Sequence, residues 1–386
     1  MMWAMPTPTT TLTGHVLSAQ GWIQGQLMIG HDGRILALQG QPCSESQVLA
    51  SAEPIILPGF IDLHVHGGAG HDVMDGGQAM APISRLHARH GTTALLATTL
   101  CAPPDQISAA LTAVAPLCEQ RDPQGARVLG VHLEGPYLNP QRLGAQPDDC
   151  RAMDLDELRA WHALAPIRLV TLAPEMPGHL ALLPQLREAG FIVQLGHSNG
   201  SYEDALAALR AGASGFTHLF NAMSGLHHRA PGMVGAALAH ARHAEIIPDL
   251  LHVHPGAILA AMRAIPGLYC VTDATAATGM PDGPCHLGSQ QVQKCLGGVR
   301  LADGTLAGSC LTMDQALRNL VGIGLPLAEA SARVSRHAAD FLGLTDRGRL
   351  QPGAWADVVV LDAALQLQQV RVEGQTIAIK QQGSAP

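Results

Sequence analysis

Charge and aromatic rings are scarce in this chain. Of its 386 residues only 14% are Asp, Glu, Lys or Arg, and only 3% are Phe, Trp or Tyr. So few rings argue against a surface that stacks nucleic-acid bases. The net charge is −8 and no basic block occurs, which argues against a nucleic-acid backbone or an anionic membrane as partner. A small anionic substrate stays open, because one local Arg can outweigh the global sign. No apolar run approaches the ~20 residues of a membrane span, and Met1 to Leu12 lacks a basic stretch followed by an apolar one. Cys-x-x-Cys pairs are also missing. The eight cysteines, at 43, 101, 118, 150, 270, 285, 295 and 310, read as free thiols of a reducing compartment. The expectation is a soluble, cytoplasmic protein with no membrane or nucleic-acid partner.

Apolar residues are plentiful at 47%, enough for a large core. The length suits a (β/α)8 barrel of about 250 residues with an accessory unit. Short strands with Gly turns open the chain. His31-Asp32-Gly33-Arg34 reads as a turn between Gln26–Ile29 and Ile35–Leu38. Strand patterns return at Ala356–Leu361 and Leu367–Val372, with Glu373-Gly374 as a turn. Both ends together predict one small β-sandwich from residues 1–55 plus 346–386. Between them, strand-like runs near 57–66, 94–100, 127–134, 167–173, 191–197, 215–220, 245–252 and 268–273 alternate with helix patterns. That alternation predicts right-handed βα units closing into a parallel TIM-like barrel over 56–345. The helix from Ser201 has a capping-box start and Gly212 as a stop. The Gly- and Pro-rich stretch from about 274 to 310 breaks the period and is expected to form a loop or hairpin over the site. Helix resumes over 311–342.

Polar residues able to bind a metal sit at the ends of these apolar runs. Ile55 to Ile61 leads into Asp62-Leu63-His64-Val65-His66, Val128 to Leu133 into Glu134, Phe191 to Leu195 into Gly196-His197, and Gly215-Phe216-Thr217 into His218. Leu268 to Thr272 leads into Asp273. In a barrel, strand ends converge on one face, where imidazoles and carboxylates from different strands can surround one or two divalent ions. His64 and His66, two apart on a strand, share a face. That spacing alone is weak, since His252-Val253-His254 repeats it. Glu134 can bridge two metals. His132, two residues deeper, reads as a hydrogen-bonded core histidine, and His227 and His228 as loop residues near a phosphate. Asp273 is the candidate general base, since a carboxylate beside a metal can take a proton from water and hand it to a leaving amine.

These residues carry a family resemblance over nearly the whole length. The chain resembles the N-acetylglucosamine-6-phosphate deacetylases of the amidohydrolase superfamily. The likeness runs through Pro58-Gly-Phe-Ile-Asp-Leu-His-Val-His66, His132-Leu-Glu-Gly-Pro136, Gly196-His-Ser198, Thr217-His-Leu-Phe-Asn-Ala-Met223, Val271-Thr-Asp-Ala274 and Leu306-Ala-Gly-Ser309. It ends on Gly348-Arg-Leu-Gln-Pro-Gly353. The resemblance implies a catalytic metal on Glu134, His197 and His218, a second on His64 and His66, and Asp273 as catalytic acid/base. Zinc is the expected ion, with iron, manganese or cobalt suited to the same donors. It also implies that the substrate, an amino-sugar phosphate, meets Asn221, Ala222, His252 and the closing loop Leu306-Ala307-Gly308. Arg229 matches a phosphate-binding Arg that reaches across a homodimer interface. The sequence departs from the family in three substrate-facing motifs. Gly144-Ala145-Gln146 stands where the family has Gly-Ala-His, Arg229-Ala230 where it has Arg-Glu, and Asp249-Leu250 where it has Asp-Gly. Ala145 and Gln146 are therefore expected at the substrate, with Gln146 or His252 helping the metal to stabilise an oxyanion.

Overall fold

A computed structural model describes residues 10–379. Residues 1–9 and 380–386, expected in the terminal β unit, lie outside the described residues. Strands from both ends of the chain join one seven-stranded sheet, in the order Gln375–Ile377, Leu367–Val372, Val358–Leu361, Ile55–Pro58, Thr10–Ser18, Gly21–Ile29 and Ile35–Pro42. Neighbours are antiparallel except Thr10–Ser18 and Ile55–Pro58, which run parallel. The expected turn forms, with Asp32 Oδ1 accepting from the Arg34 N–H at 3.1 Å. Val16, Leu27, Ile29, Ile35, Ile56 and Val358 bury one face of the sheet in a core of its own.

The run Ile55 to Ile61, read from the sequence as a single strand, is divided by Gly59. A Cβ on Gly59 would lie 2.2 Å from the Thr93 side chain, so only glycine lets the chain pass there. Before it, Ile55–Pro58 pairs in the terminal sheet; after it, Phe60–Val65 is the first barrel strand. Residues 56–58, expected in the barrel unit, thus hydrogen-bond with the chain ends.

Eight barrel strands form among the described residues, but the seventh, expected over 245–252, lies at His243–Ile246, and 247–252 leave the strand, with bends over 249–252. Phe60–Val65, Thr92–Thr98, Arg127–Glu134, Ile167–Leu172, Ile192–Leu195 and Gly215–Phe216 make a parallel run. His243–Ile246 and Gly267–Cys270 pair in parallel beside it. The ring closes where the Leu219 N–H donates to Glu245 O and the Asp273 N–H to His64 O, both at 2.9 Å. The strands read as continuous apolar runs because the barrel interior covers one face and helices cover the other. One of those helices, Tyr202–Ala211, starts on the Ser201–Asp204 capping box and stops at Gly212, as its sequence predicts. Over the barrel mouth, the 274–310 stretch folds into a three-stranded antiparallel sheet of Gly283–Leu287, Gln290–Cys295 and Gly298–Arg300.

Glu373, in the turn after Leu367–Val372, ties the terminal sheet to the barrel. Its carboxylate accepts from Arg127 Nε at 2.8 Å and Arg347 Nη2 at 2.5 Å. Arg127 begins the barrel strand that ends on Glu134. Burial alone would raise the Glu373 carboxyl, but hydrogen bonds from Arg127 and Arg347 outweigh it and hold it at about 2. A depressed folded value means that the stabilisation is complete above the unfolded value of ~4.3 and is lost as pH falls towards 2. Glu373→Gln should therefore lower stability by about 1–2 kcal/mol at pH 7, less than the loss of a fully buried ion pair because the carboxylate is only partly buried and solvent screens it. At pH 3 the loss should be clearly smaller. Urea unfolding at the two pH values measures both, and equal losses would contradict this account.

Candidate active site

The polar residues that end the strands converge at one mouth of the barrel. Three of them leave their strands abruptly: His197, His218 and Asp273 have φ of 46°, 26° and 52°. Residues with a Cβ rarely adopt this left-handed region, and such strain persists only where surrounding contacts fix it. Here those contacts are visible. Arg142 O accepts from His197 Nδ1 at 2.8 Å, and Glu245 Oε2 accepts from the His218 N–H at 3.2 Å. Gly196 lets two strands close up beside His197, since a Cβ there would lie 2.7 Å from Thr217 Cβ.

Four imidazole Nε2 atoms surround the carboxylate of Glu134. Its Oε1 lies 3.1 Å from His197 and 3.0 Å from His218. Its Oε2 lies 3.1 Å from His66 and 3.3 Å from His64. Within each pair the two Nε2 atoms are 3.0 Å apart (His197 and His218) and 3.1 Å apart (His64 and His66). Asp273 Oδ1 approaches the second pair, at 3.3 Å from His66 and 3.5 Å from His64. All of these side chains are buried.

The donor chemistry of this cluster fits a divalent ion. His197 Nδ1 donates to a carbonyl, and His64 Nδ1 donates to Glu245 Oε2 at 2.9 Å. In its neutral form each imidazole carries one N–H, so its Nε2 turns a lone pair to a carboxylate, a position that takes either a proton or a metal ion. Lone pairs and carboxylate oxygens facing one another in a buried site repel unless a cation lies among them. The titration behaviour has the same origin. Burial pushes His64 down, but Glu134, Glu245 and Asp273 outweigh it and raise it well above the usual value. Burial likewise lowers His66, while Asp273 and Glu134 bring it up to about 9. Among the described residues three groups have the spacing to hold an ion, and two of them share one carboxylate: His197 and His218 with Glu134, and His64 and His66 with Glu134; the third is His64, His132 and Glu245. His132 packs edge-on against His64, with ring centroids 4.6 Å apart, but its own nitrogens are taken. Leu63 O and Thr171 Oγ1 satisfy its two nitrogens, and burial, then the nearby His64, hold it well below the usual value, as a core histidine.

A cavity opens onto the cluster. Ala145, Gln146, Asn221, Ala222, His252, Leu306 and Gly308, all expected at a substrate, line it. Gln146 is held at both ends of its amide: Oε1 accepts from the Cys101 N–H at 2.8 Å, and Nε2 donates to Glu134 Oε2 at 2.7 Å. His252 donates through Nδ1 to Asp249 Oδ2 at 2.7 Å. The spacing twin His254 instead caps the helix Pro255–Ala264 and accepts from the Gly256 N–H. Two expected residues lie off the cavity wall. Ala307 packs with Leu287, Val292 and Val299 beneath the lid, because its neighbours Leu306 and Gly308 take the cavity side. Arg229 is exposed, 2.8 Å from His228 Nε2.

Three acidic residues have positioning roles that the sequence alone does not assign, although Asp62 and Asp249 fall in its motifs. Glu245, inside His243–Ile246, fixes His64 and the His218 backbone. Asp62 accepts from Thr272 Oγ1 at 2.6 Å, tying the first strand to the end of the last. Burial raises the Asp62 carboxyl to about 7 against the hydrogen bonds of Thr272. Asp249 orients His252. A charged residue between Ala244 and Ile246 is the one signal that could have exposed Glu245.

Comparison with known proteins agrees with this geometry. The Amidohydrolase family matches residues 55–381. The chain is 42% identical over 368 residues to the N-acetylgalactosamine-6-phosphate deacetylase of Escherichia coli O157:H7, covering 93% of this chain and 97% of that protein. It is 41% identical to the N-acetylglucosamine-6-phosphate deacetylase of Lysinibacillus sphaericus, covering 83% and 85%. Among solved structures, a mutant N-acetyl-D-glucosamine-6-phosphate deacetylase from Mycobacterium smegmatis, in complex with N-acetyl-D-glucosamine-6-phosphate, superposes with a TM-score of 0.87 at 32% identity. That match covers 96% of this chain and 99% of the other.

The first histidine pair can be tested directly. Metal analysis of the His64→Asn, His66→Asn double variant should show a loss of about one equivalent per chain relative to wild type. An unchanged metal content would make these histidines structural.

Proposed function

This chain belongs to the amidohydrolase family, and from that premise we propose that it is a metal-dependent deacetylase of an amino-sugar 6-phosphate. The first substrate in view is N-acetylglucosamine 6-phosphate, cleaved by water to glucosamine 6-phosphate and acetate. The observation that carries this reading is the sharing of Glu134 between two histidine pairs, with Asp273 beside them at the floor of the cavity. N-acetylgalactosamine 6-phosphate is the second reading, favoured by the 42% identity to the deacetylase of that sugar. A non-catalytic metal-binding role leaves Asp273 without a purpose.

The metal, with zinc proposed first among ions suited to these donors, supplies Lewis acidity for the amide carbonyl and lets water ionise near neutral pH. In this reading Glu134, His64, His66, His197 and His218 hold it. Asp273 is the base in this reading: an aspartate is ionised at neutral pH at its ordinary value, and its Oδ1 faces His66 at 3.3 Å and His64 at 3.5 Å. It accepts a proton from water at Oδ1 and returns it to the departing amine. His252, oriented by Asp249, offers Nε2 to the substrate, and Asn221, Ala222 and Ala145 shape the space around it. Leu306 and Gly308 close over the sugar and restrict water, with Ala307 anchoring the loop from below.

Arg229 serves the 6-phosphate in this proposal. It is exposed and lies off the cavity wall of its own chain, which fits delivery to the cavity of a second copy in a homodimer. The division into a terminal β unit and a barrel, and a cytoplasmic location, belong to the same proposal. All eight cysteines are free, in keeping with a reducing compartment, and no helix among the described residues is long and apolar enough to cross a membrane.

Acetate release from the two N-acetylated hexosamine 6-phosphates, and from their unphosphorylated forms, tests the reaction. Turnover of a phosphorylated sugar is expected, and no release from any of them would refute it. Asp273→Asn should keep its metal and lose ~10²–10⁴ in kcat. A rate within a few-fold of wild type would remove Asp273 as the base. Arg229→Ala should raise KM for the phosphorylated sugars far more than for the unphosphorylated ones. Equal changes in KM would make that Arg structural.

A further inference from the structure

We propose that Gln146 is a positioning residue that acts through Glu134, fixing which carboxylate oxygen serves which histidine pair. The inference rests on the metal-site reading above and adds a residue to it. The polarity of the Gln146 amide is set by its surroundings. Its Oε1 accepts from the Cys101 N–H at 2.8 Å, a group that can only donate, so Nε2 must face Glu134 Oε2 at 2.7 Å. Gln146 is only 5% exposed, and its own N–H donates to Leu143 O at 2.9 Å, so the clamp is built on ordered backbone at both ends.

Glu134 needs such a clamp. The terminal torsion of a Glu is broad and roughly two-fold. A modest rotation would carry Oε1 away from His197 and His218 and Oε2 away from His64 and His66. The histidine contacts cannot prevent this by themselves, because each depends on where protons and cations lie. The Gln146 N–H does not titrate, so it holds Oε2 in every protonation state of the cluster. Being neutral, the amide also leaves the carboxylate its full negative charge for the cations. This differs from the sequence expectation, in which Gln146 acts on the substrate. One amide hydrogen is given to Glu134, and the oxygen is occupied by Cys101.

Metal affinity reads this role without reference to turnover. Apo-protein would be titrated with Zn²⁺ against a chromophoric chelator, as wild type and as Gln146→Met, which keeps the volume and removes the amide. Loss of a partner that orients a metal ligand typically weakens binding ~10–100-fold. That loss is expected in at least one equivalent, with kcat falling and KM for the phosphorylated sugar within a few-fold of wild type. Gln146→Asn keeps a polar side chain in the cleft but draws the amide back by one methylene. It is expected to show the same loss should the Met variant fail to fold. Zinc affinity within two-fold of wild type in a folded variant, with a raised KM, would overturn the proposal and return Gln146 to the substrate. A wild-type protein that bound no stoichiometric zinc would instead undercut the metal-site reading itself, so the two failures are distinguishable.

Discussion

A carboxylate buried with its oxygens facing four imidazole nitrogens is the constraint around which the rest of this molecule is arranged. An isolated buried charge is costly, and Glu134 is almost wholly removed from water. Compensation comes from residues on separate strands: His64 and His66 from the first, His197 after the fifth, His218 after the sixth. Only a closed barrel brings those strand ends together, which is why the site lies at its mouth. The cluster also draws its own second layer around it. Glu245 and Arg142 O fix the imidazole tautomers, so that lone pairs face inward.

The same arrangement accounts for features that stability alone would not select. His197, His218 and Asp273 hold left-handed backbone at the strand ends. Asp62 is buried with its charge partly suppressed, and its acceptance from Thr272 closes the barrel beside the first histidine pair. At the far end of the strand carrying Glu134, Arg127 is held by Glu373 from the terminal sheet. The terminal unit thus braces the base of the strand whose tip organises the site.

Much of this was legible in the sequence because fully buried parallel strands are written as unbroken apolar runs, so a polar residue ending each run stands out. Glu134, His197, His218 and Asp273 were readable for that reason. What escaped was polar but not terminal. Glu245 lies inside its strand, and its partner His64 is 181 positions away. The break at Gly59 was hidden because both sides of it are apolar and buried, and only the approach of Thr93 requires a glycine there. The pair His252 and His254 shows the limit of spacing as a signal. One faces the cavity, while the other caps a helix, because both lie in the irregular stretch after the strand His243–Ile246 and not on a strand.

Zinc titration of wild-type apo-protein beside Glu134→Gln tests the central claim most directly. A Gln in that position keeps the shape but loses the charge and one acceptor oxygen. If Glu134 joins two ligand sets, wild type binds up to two ions and the variant loses tight binding at every site that wild type has. A variant that still took up one ion with wild-type affinity would contradict the claim, because one histidine pair would then hold its metal without the shared carboxylate.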